Sequence, residues 1–491
     1  MCKRLAWLAI AAVVSLSLGS CGGNGGTGMQ RIRRTGVLRW GGDIQGGEPY
    51  VYEDPDHGGR LIGFEVDLAN SVARELGVRA EFVQNDWESL VPSLERGTFD
   101  IVMNGLEVTP RRASQVRFTR PYYIFAARLT VRRGTRGLTT MAALRGRRVS
   151  ALTNSLAADM LQQAGANVQL NPGIDEQYVV LENDGVDAVL LDDIIAQRYV
   201  PRHPRLESVA DLGEGYYAIG ARNNEPDVQR AVDDALGRIA RSGELRRILG
   251  RWSLDNVRQD RLDTWTDDDT RRLLSIASRA RFGMRHFMLF LHGAGITLVI
   301  SFLAMALAIP FGILLALLRL YAPKPLGWLS SAYIEIFRGT PVLLQLYVIY
   351  YALAPILKLD ALTAAVLGLG MNYAAYEAEV YRAGIQAVPK GQMEAAISLG
   401  MSTSLALRRV IMPQAFRLAL PSVTNDFIAL LKDSSLVSVI TVVELTKRMQ
   451  ITAVDVGGYL IPGLLCAVLY FAMSYPLSII AKRLEQRLAR S

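Results

Sequence analysis

Glu394-Ala395-Ala396-Ile397-Ser398-Leu399-Gly400, followed nine residues later by Val410-Ile411-Met412-Pro413, lies between two strongly apolar segments of a 491-residue chain. A plain connection would need only a modest loop there. This one is written as a helix, a turn and a second helix boundary. Paired alanines let a helix enter a groove closely, Gly400 lets the chain turn without a Cβ clash, and Pro413 stops or starts a helix.

The chain is too long for one ordinary domain. Half of its residues are hydrophobic and the mean hydropathy is +0.19, but the apolar character is unevenly spread. Residues 30–285 read as a soluble α/β protein and 287–481 as membrane. The net charge of +8 is concentrated near membrane-proximal loops and the C-terminus, where topology accounts for much of the excess. No nucleic-acid motif is present. Cys2, Cys21 and Cys466 suggest neither a disulfide framework nor a metal site. Lys3-Arg4 followed by the apolar run Leu5 to Leu18 has the order and length of a secretory signal. Leu18-Gly19-Ser20-Cys21 resembles a bacterial lipobox, which implies acylation of Cys21; plain cleavage and an uncleaved anchor are the alternatives. The expected division is a signal over 1–21, a flexible glycine-rich tether over 22–35, an extracytoplasmic domain over 36–254, a polar linker over 255–286 and a membrane domain over 287–485.

From Gly36 to Trp252, short strand-like runs alternate with amphipathic helices. Val37–Trp40, Phe99–Met103 and Asp187–Leu191 read as strands, and Phe64, Leu68, Val72 and Leu76 share one helical face. This alternation predicts parallel strands with ligand sites beyond their ends. Five apolar spans follow, near 287–318, 342–358, 361–381, 422–443 and 459–481. Basic loops place residues 382–420 and the C-terminus in the cytoplasm by the positive-inside rule. An odd number of spans then puts residues 30–285 outside, as the signal independently requires. The expected fold is a two-lobed α/β domain followed by an all-α membrane domain of about five helices.

The Glu394–Pro413 spacing resembles the EAA signature of ABC-importer permeases, with Val410 and Met412 as conservative replacements. Phe337–Pro341, Ala387–Gln392 and Leu431–Ser438 are similar to polar amino acid permeases, and Glu379, Tyr381 and Arg382 fit the end of the family's third span. The resemblance implies that Glu394, Ala395, Ala396 and Gly400 dock an ATPase subunit. Glu379 belongs either to a substrate path or to an interfacial pair with Arg382.

Residues 36–252 resemble family-3 solute-binding proteins in Gly63–Ala69, Trp87–Leu94, Asp100–Arg112 and Asp187–Asp192. The resemblance implies an amino acid clamped between two lobes. Arg112 would pair with its α-carboxylate, Asp192 would accept from its ammonium, and Trp87 would offer an aromatic face. Asn104 and Gly105 would supply main-chain groups, and Thr153, Asn154 and Ser155 the second-lobe loop. Glu107 departs from the family's usual hydroxyl residue; a carboxylate there would help hold the ammonium and repel an acidic ligand. The sequence does not choose among basic, amide and acidic amino acids.

The chain contains no Gly-x-x-x-x-Gly-Lys-Ser/Thr phosphate loop. The expectation is therefore a fused binding and permease subunit, a likely partner being excluded among nucleic acids and required among ATPases. No catalytic residue, metal or cofactor is expected in this chain; ATP and Mg would be held by the partner. A homodimer of membrane domains in the bacterial inner membrane, contacting lipid, is the simplest assembly. A ligand-gated channel or a transmembrane sensor could use the same binding fold. The channel would place its pore between the lobes, and the sensor would continue into a signalling domain.

Overall fold

The computed structural model describes residues 27–54, 58–171, 173–275, 282–357 and 359–488; the apolar leader and Cys21 lie outside them. Helix α1, Gly28–Thr35, occupies part of the stretch expected to be a tether. Thr27 and Gln30 form a reciprocal capping box, and Gly36 closes the helix in the left-handed region. Met29 and Ile32 are buried one turn apart, and Arg31 reaches Glu225 at 2.7 Å and Asp100 at 2.9 Å. The glycine-rich run ahead of Thr27 concealed this short amphipathic pattern.

Strand β1 (Val37–Gly42) is followed by the small hairpin β2 (Tyr52–Asp54) and β3 (Arg60–Ile62), helix α2 (Phe64–Glu75), and strands β4 (Arg79–Gln84) and β5 (Ile101–Val102). Helix α3 (Pro110–Ala113) leads into β6 (Val116–Arg132). Next come β7 (Arg148–Leu152), α4 (Leu156–Gln163), β8 (Asn167–Asn171), β9 (Ala188–Asp192), β10 (Leu206–Arg222) and α5 (Pro226–Arg241). Phe64, Leu68 and Val72 are fully buried because four-residue spacing keeps them on one face of α2. One eight-stranded sheet runs β4-β1-β5-β10-β6-β9-β7-β8. Its two outer groups are parallel, as expected, but β6 and β10 pair antiparallel through the middle. The end of β10 also pairs with β5 in the first lobe, while β6 pairs with β9 in the second. The expectation of parallel strands thus fails at the junction of the lobes.

The polar segment expected as a free linker is partly docked. Gln259 is buried and exchanges hydrogen bonds with both backbone groups of Ile124, and Arg258 pairs with Asp193. Short helices at Asp260–Asp263 and Asp267–Leu274 continue along the sheet domain.

The helical part begins with α6 (Met284–Tyr321), then Lys324–Gly339, and a short broken segment of Val342–Tyr347, a π-turn to Ala352 and Ala354–Leu357. Helix α7 (Ala361–Ala387) follows, then α8 (Lys390–Ser398), α9 (Met412–Asp433), α10 (Leu445–Val456) and α11 (Leu460–Leu488). Among the described residues, α6 and Leu460–Arg483 within α11 are long and apolar enough to cross a membrane. The fourth expected span, 422–443, is displaced: α9 begins at Met412 and gives way to a 3-10 segment over Ser434–Ile440. Pro413 sits in the first turn of α9, where its missing N–H leaves no bond unmade. Hydropathy alone undervalued the polar first turns of that helix. Glu379 on α7 pairs with Arg382 at 2.8 Å and with Arg319 on α6, an ion cluster between helices.

Gly63 precedes α2 with φ +145°, and a Cβ there would run into the Tyr50 carbonyl oxygen. Replacement by Ala is expected to destabilise the binding domain by about 3 kcal/mol. Thermal unfolding of the detergent-solubilised protein, followed by tryptophan fluorescence, checks this.

Candidate functional site

A cleft of about 600 Å³, including its open mouth, lies where strand ends from both lobes converge. Asp43 follows β1, Asn104, Gly105 and Glu107 follow β5, Ser155 follows β7, and Asp192 ends β9. Sites beyond strand ends are the usual consequence of parallel connections. Asn104 and Gly105 both have positive φ, 143° and 60°. Glu65 on α2 braces this turn: its carboxylate accepts from Gly105 N at 2.6 Å and from the Tyr122 hydroxyl. Asn104 in turn accepts from Asp43 N.

Six of the eight residues singled out from sequence line the cleft: Trp87, Asn104, Gly105, Glu107, Ser155 and Asp192. Arg112 and Thr153 stand outside its lining. Arg112 is 5% exposed. Its Nη1 donates to Glu107 Oε2 at 3.1 Å and to the Glu107 carbonyl at 3.2 Å; its Nη2 donates to the Asn154 carbonyl at 2.9 Å. The guanidinium lies over the Trp87 ring, 4.8 Å from its centroid. Glu107 Oε2 also accepts from Leu156 N, the first residue of α4, at 2.9 Å. Thr153 contributes its carbonyl, which accepts from the Trp87 indole at 3.0 Å. Ser155 caps α4, its hydroxyl accepting from Ala158 N at 3.1 Å and donating to the Leu152 carbonyl at 2.8 Å.

Asp192 and its neighbour separate cleanly. Asp192 faces the cleft and accepts from Tyr217, whose hydroxyl lies 2.9 Å from that of Tyr50. Asp193 is turned to Ala126 N and Arg258. Burial raises the Glu107 carboxyl to about 7, opposed by the Arg112 charge. Asp192 is held well above the usual carboxylate range, first by burial and then by the nearby Glu107. Burial also lifts Glu65 to about 7, against the hydrogen bonds from Tyr122 and Gly105. Sequence reasoning missed Glu65, Tyr50 and Tyr217. The one available signal was an acidic residue, Glu65, on the helical face next to buried Phe64.

The sheet domain touches the helical part directly. Arg111 reaches Asp455 at 2.7 Å, Glu88 reaches Lys447 at 2.9 Å, and Gln115 donates to the Val454 carbonyl at 2.9 Å. On the other lobe, Gln169 donates to Tyr350 at 2.9 Å and to Thr441 at 3.2 Å. Between the two parts lies a second cavity of about 930 Å³, lined by Trp87, Arg112 and Asn154 on one side and by Ala453, Val454 and Gly457–Tyr459 on the other. At a separate surface, α8 exposes Glu394 and Ala395 and buries Ala396. Gly400 turns the chain at φ +84°, and Ile397 and Leu399 stand exposed beside it. Among the described residues there is no group of three or more His, Cys, Asp or Glu placed to hold a metal ion.

A two-lobed cleft closed over buried carboxylates and resting on a helical membrane part defines a solute-binding domain joined to its permease. Residues 39–255 match the bacterial extracellular solute-binding proteins, family 3, and residues 308–490 match the binding-protein-dependent transport system inner membrane component. The arginine transport system permease protein ArtQ of Bacillus subtilis is 35% identical over 200 residues, 40% of this chain and 91% of that protein. The L-cystine transport system permease protein TcyB of the same organism is 40% identical over 186 residues, 37% of this chain and 80% of that protein. Among solved structures, an ancestral arginine-binding protein bound to arginine is 28% identical, with a TM-score of 0.41, over 44% of this chain and 98% of that one. The chain belongs to the ABC-importer permeases, with a family-3 solute-binding domain fused ahead of the membrane part.

Glu65 gives a test of the site's electrostatics. A carboxyl raised from its unfolded value to about 7 binds more protons in the folded state, so its contribution to stability is fully present below about pH 4.5 and is lost as pH rises through 7. Glu65→Gln should remove roughly 3 kcal/mol of that fall between pH 4.5 and 8. Tryptophan-detected unfolding of the two proteins across this range is the measurement.

Proposed function

We propose that this subunit captures an amino acid outside the cell and passes it through a homodimeric membrane domain driven by a separate ATPase. The observation that carries this reading is the ligand cleft set against the permease: Arg111–Asp455, Glu88–Lys447 and Gln115–Val454 hold the first lobe over the Ala453–Tyr459 segment. The relatives named for arginine and cystine transport favour an amino acid as cargo. The binding domain is extracytoplasmic, the membrane part crosses about five times, and residues 382–420 and the C-terminus are cytoplasmic. Cys21 is the acylated first residue of the mature chain.

The ATPase docks on α8 and its following turn. Exposed Ala395, Ile397 and Leu399, with the tight turn at Gly400, present a small apolar knob suited to a groove. ATP and Mg belong to that partner, since the sequence has no phosphate loop. Fusion of the binding domain to the permease replaces a diffusive encounter with a high effective concentration of loaded binder. Closure of the lobes, docking and alternating access then form the cycle.

In proteoliposomes, uptake of labelled amino acid should require an added ATPase subunit, and the purified chain alone should hydrolyse no ATP. Uptake at full rate without the ATPase overturns the importer reading. Ala395→Asp should lower uptake and stimulated ATP hydrolysis at least about tenfold while leaving ligand affinity unchanged, as expected for a charge placed at a desolvated contact.

A further inference from the structure

The residue expected to read the ligand's carboxylate already has a carboxylate. Glu107 Oε2 sits between Arg112 Nη1 at 3.1 Å and Leu156 N at 2.9 Å. Arg112 spends Nη2 on the Asn154 carbonyl and its face on Trp87. Both charged side chains are buried, at 2% and 5% exposure. A ligand carboxylate could reach Arg112 only by displacing Glu107, which would leave a buried carboxylate without its cation.

The cleft itself carries the opposite bias. Glu107, Asp192 and Asp43 line it, and no Lys, Arg or His is among its lining residues. Asp43 is committed to backbone donors, accepting from Trp87 N and Gln45 N, each at 2.9 Å. Glu107 and Asp192 remain as acidic groups bordering the same space, each made more basic by burial, and the field of Glu107 further raises Asp192. Entry of a cation between them relieves this repulsion and supplies both with a partner. A second carboxylate entering would add to it.

We propose that this cleft selects a cationic amine or guanidinium ligand, held by Asp192 and Glu107, and that Arg112 is a positioning residue which fixes Glu107 and reads no ligand carboxylate. The proposal rests on the amino acid importer reading and narrows it to basic amino acids and their decarboxylated amines. Specificity here comes from an internal carboxylate that stands in the ligand's expected place. A positive charge is then required of the ligand and a carboxylate is not.

The test is calorimetric binding to the full chain in lipid nanodiscs, with arginine, agmatine, glutamine and glutamate as probes. Agmatine keeps the guanidinium and lacks the α-carboxylate. The expected result is agmatine within about tenfold of arginine, with glutamine and glutamate weaker by on the order of 100-fold, the scale of a buried charge pair lost. This comparison uses the unaltered protein. Glu107→Gln, which keeps an acceptor for Leu156 N, should weaken agmatine by a similar factor and reduce the preference for arginine over glutamine. Glutamine binding as tightly as arginine while agmatine fails to bind overturns the proposal and leaves the amino acid importer reading standing. Failure of all four probes and of every other standard amino acid overturns both.

Discussion

Two seventeen-residue strands, β6 and β10, run antiparallel through the middle of the sheet, and both lobes hang from them. Each lobe's parallel strands pair onto one end of this ribbon. The ribbon therefore decides where the two sets of strand ends meet, and so where a ligand can be enclosed. Register breaks between Asp211 and Glu214 and again near Tyr217 and Ala218 fall inside the paired length. Such irregularities bend and twist a strand pair. Tyr217 sits at one of them, and its hydroxyl reaches Asp192 in the other lobe's last strand.

The cleft is organised by buried carboxylates more than by its arginine. Glu65 ties the Asn104–Gly105 turn to α2, Asp43 gathers the backbone around Trp87, and Glu107 joins the first lobe to the N-terminus of α4. Each takes N–H donors that would otherwise be unsatisfied in a closed interior. The arrangement has an electrostatic consequence: the interior is rich in acceptors and short of mobile cations.

Much of this was legible in the sequence because periodicity and punctuation are local. Phe64, Leu68 and Val72 announced α2, Asp187–Leu191 announced β9, and Gly400 announced the turn after α8. Six cleft residues were named from motif order. What stayed hidden depends on distance in space. The Glu107–Arg112 pair spans five residues, but its meaning comes from Leu156 and Asn154, more than forty positions away. Tyr217 lies twenty-five residues from Asp192 and was invisible as a partner. Helix α1 and the docked Gln259 were hidden by composition, since polar, glycine-rich surroundings outweighed two or three anchoring side chains.

Arg111 stands next to the buried Arg112 and faces outward, 3.3 Å from Asp159 on α4 and 2.7 Å from Asp455 at the end of α10. One guanidinium thus bridges the first lobe, the second lobe and the membrane domain. Each contact is partly exposed and worth no more than about 1 kcal/mol. Their value lies in being shared. Asp159 is brought to Arg111 by lobe closure, and Asp455 by docking, so the two events act on the same cation. Thermodynamic reciprocity then makes any gain symmetric. If closing the lobes tightens the grip on Asp455, the membrane domain holds the lobes closed by the same increment, and a single residue lets transporter and trap read each other's state.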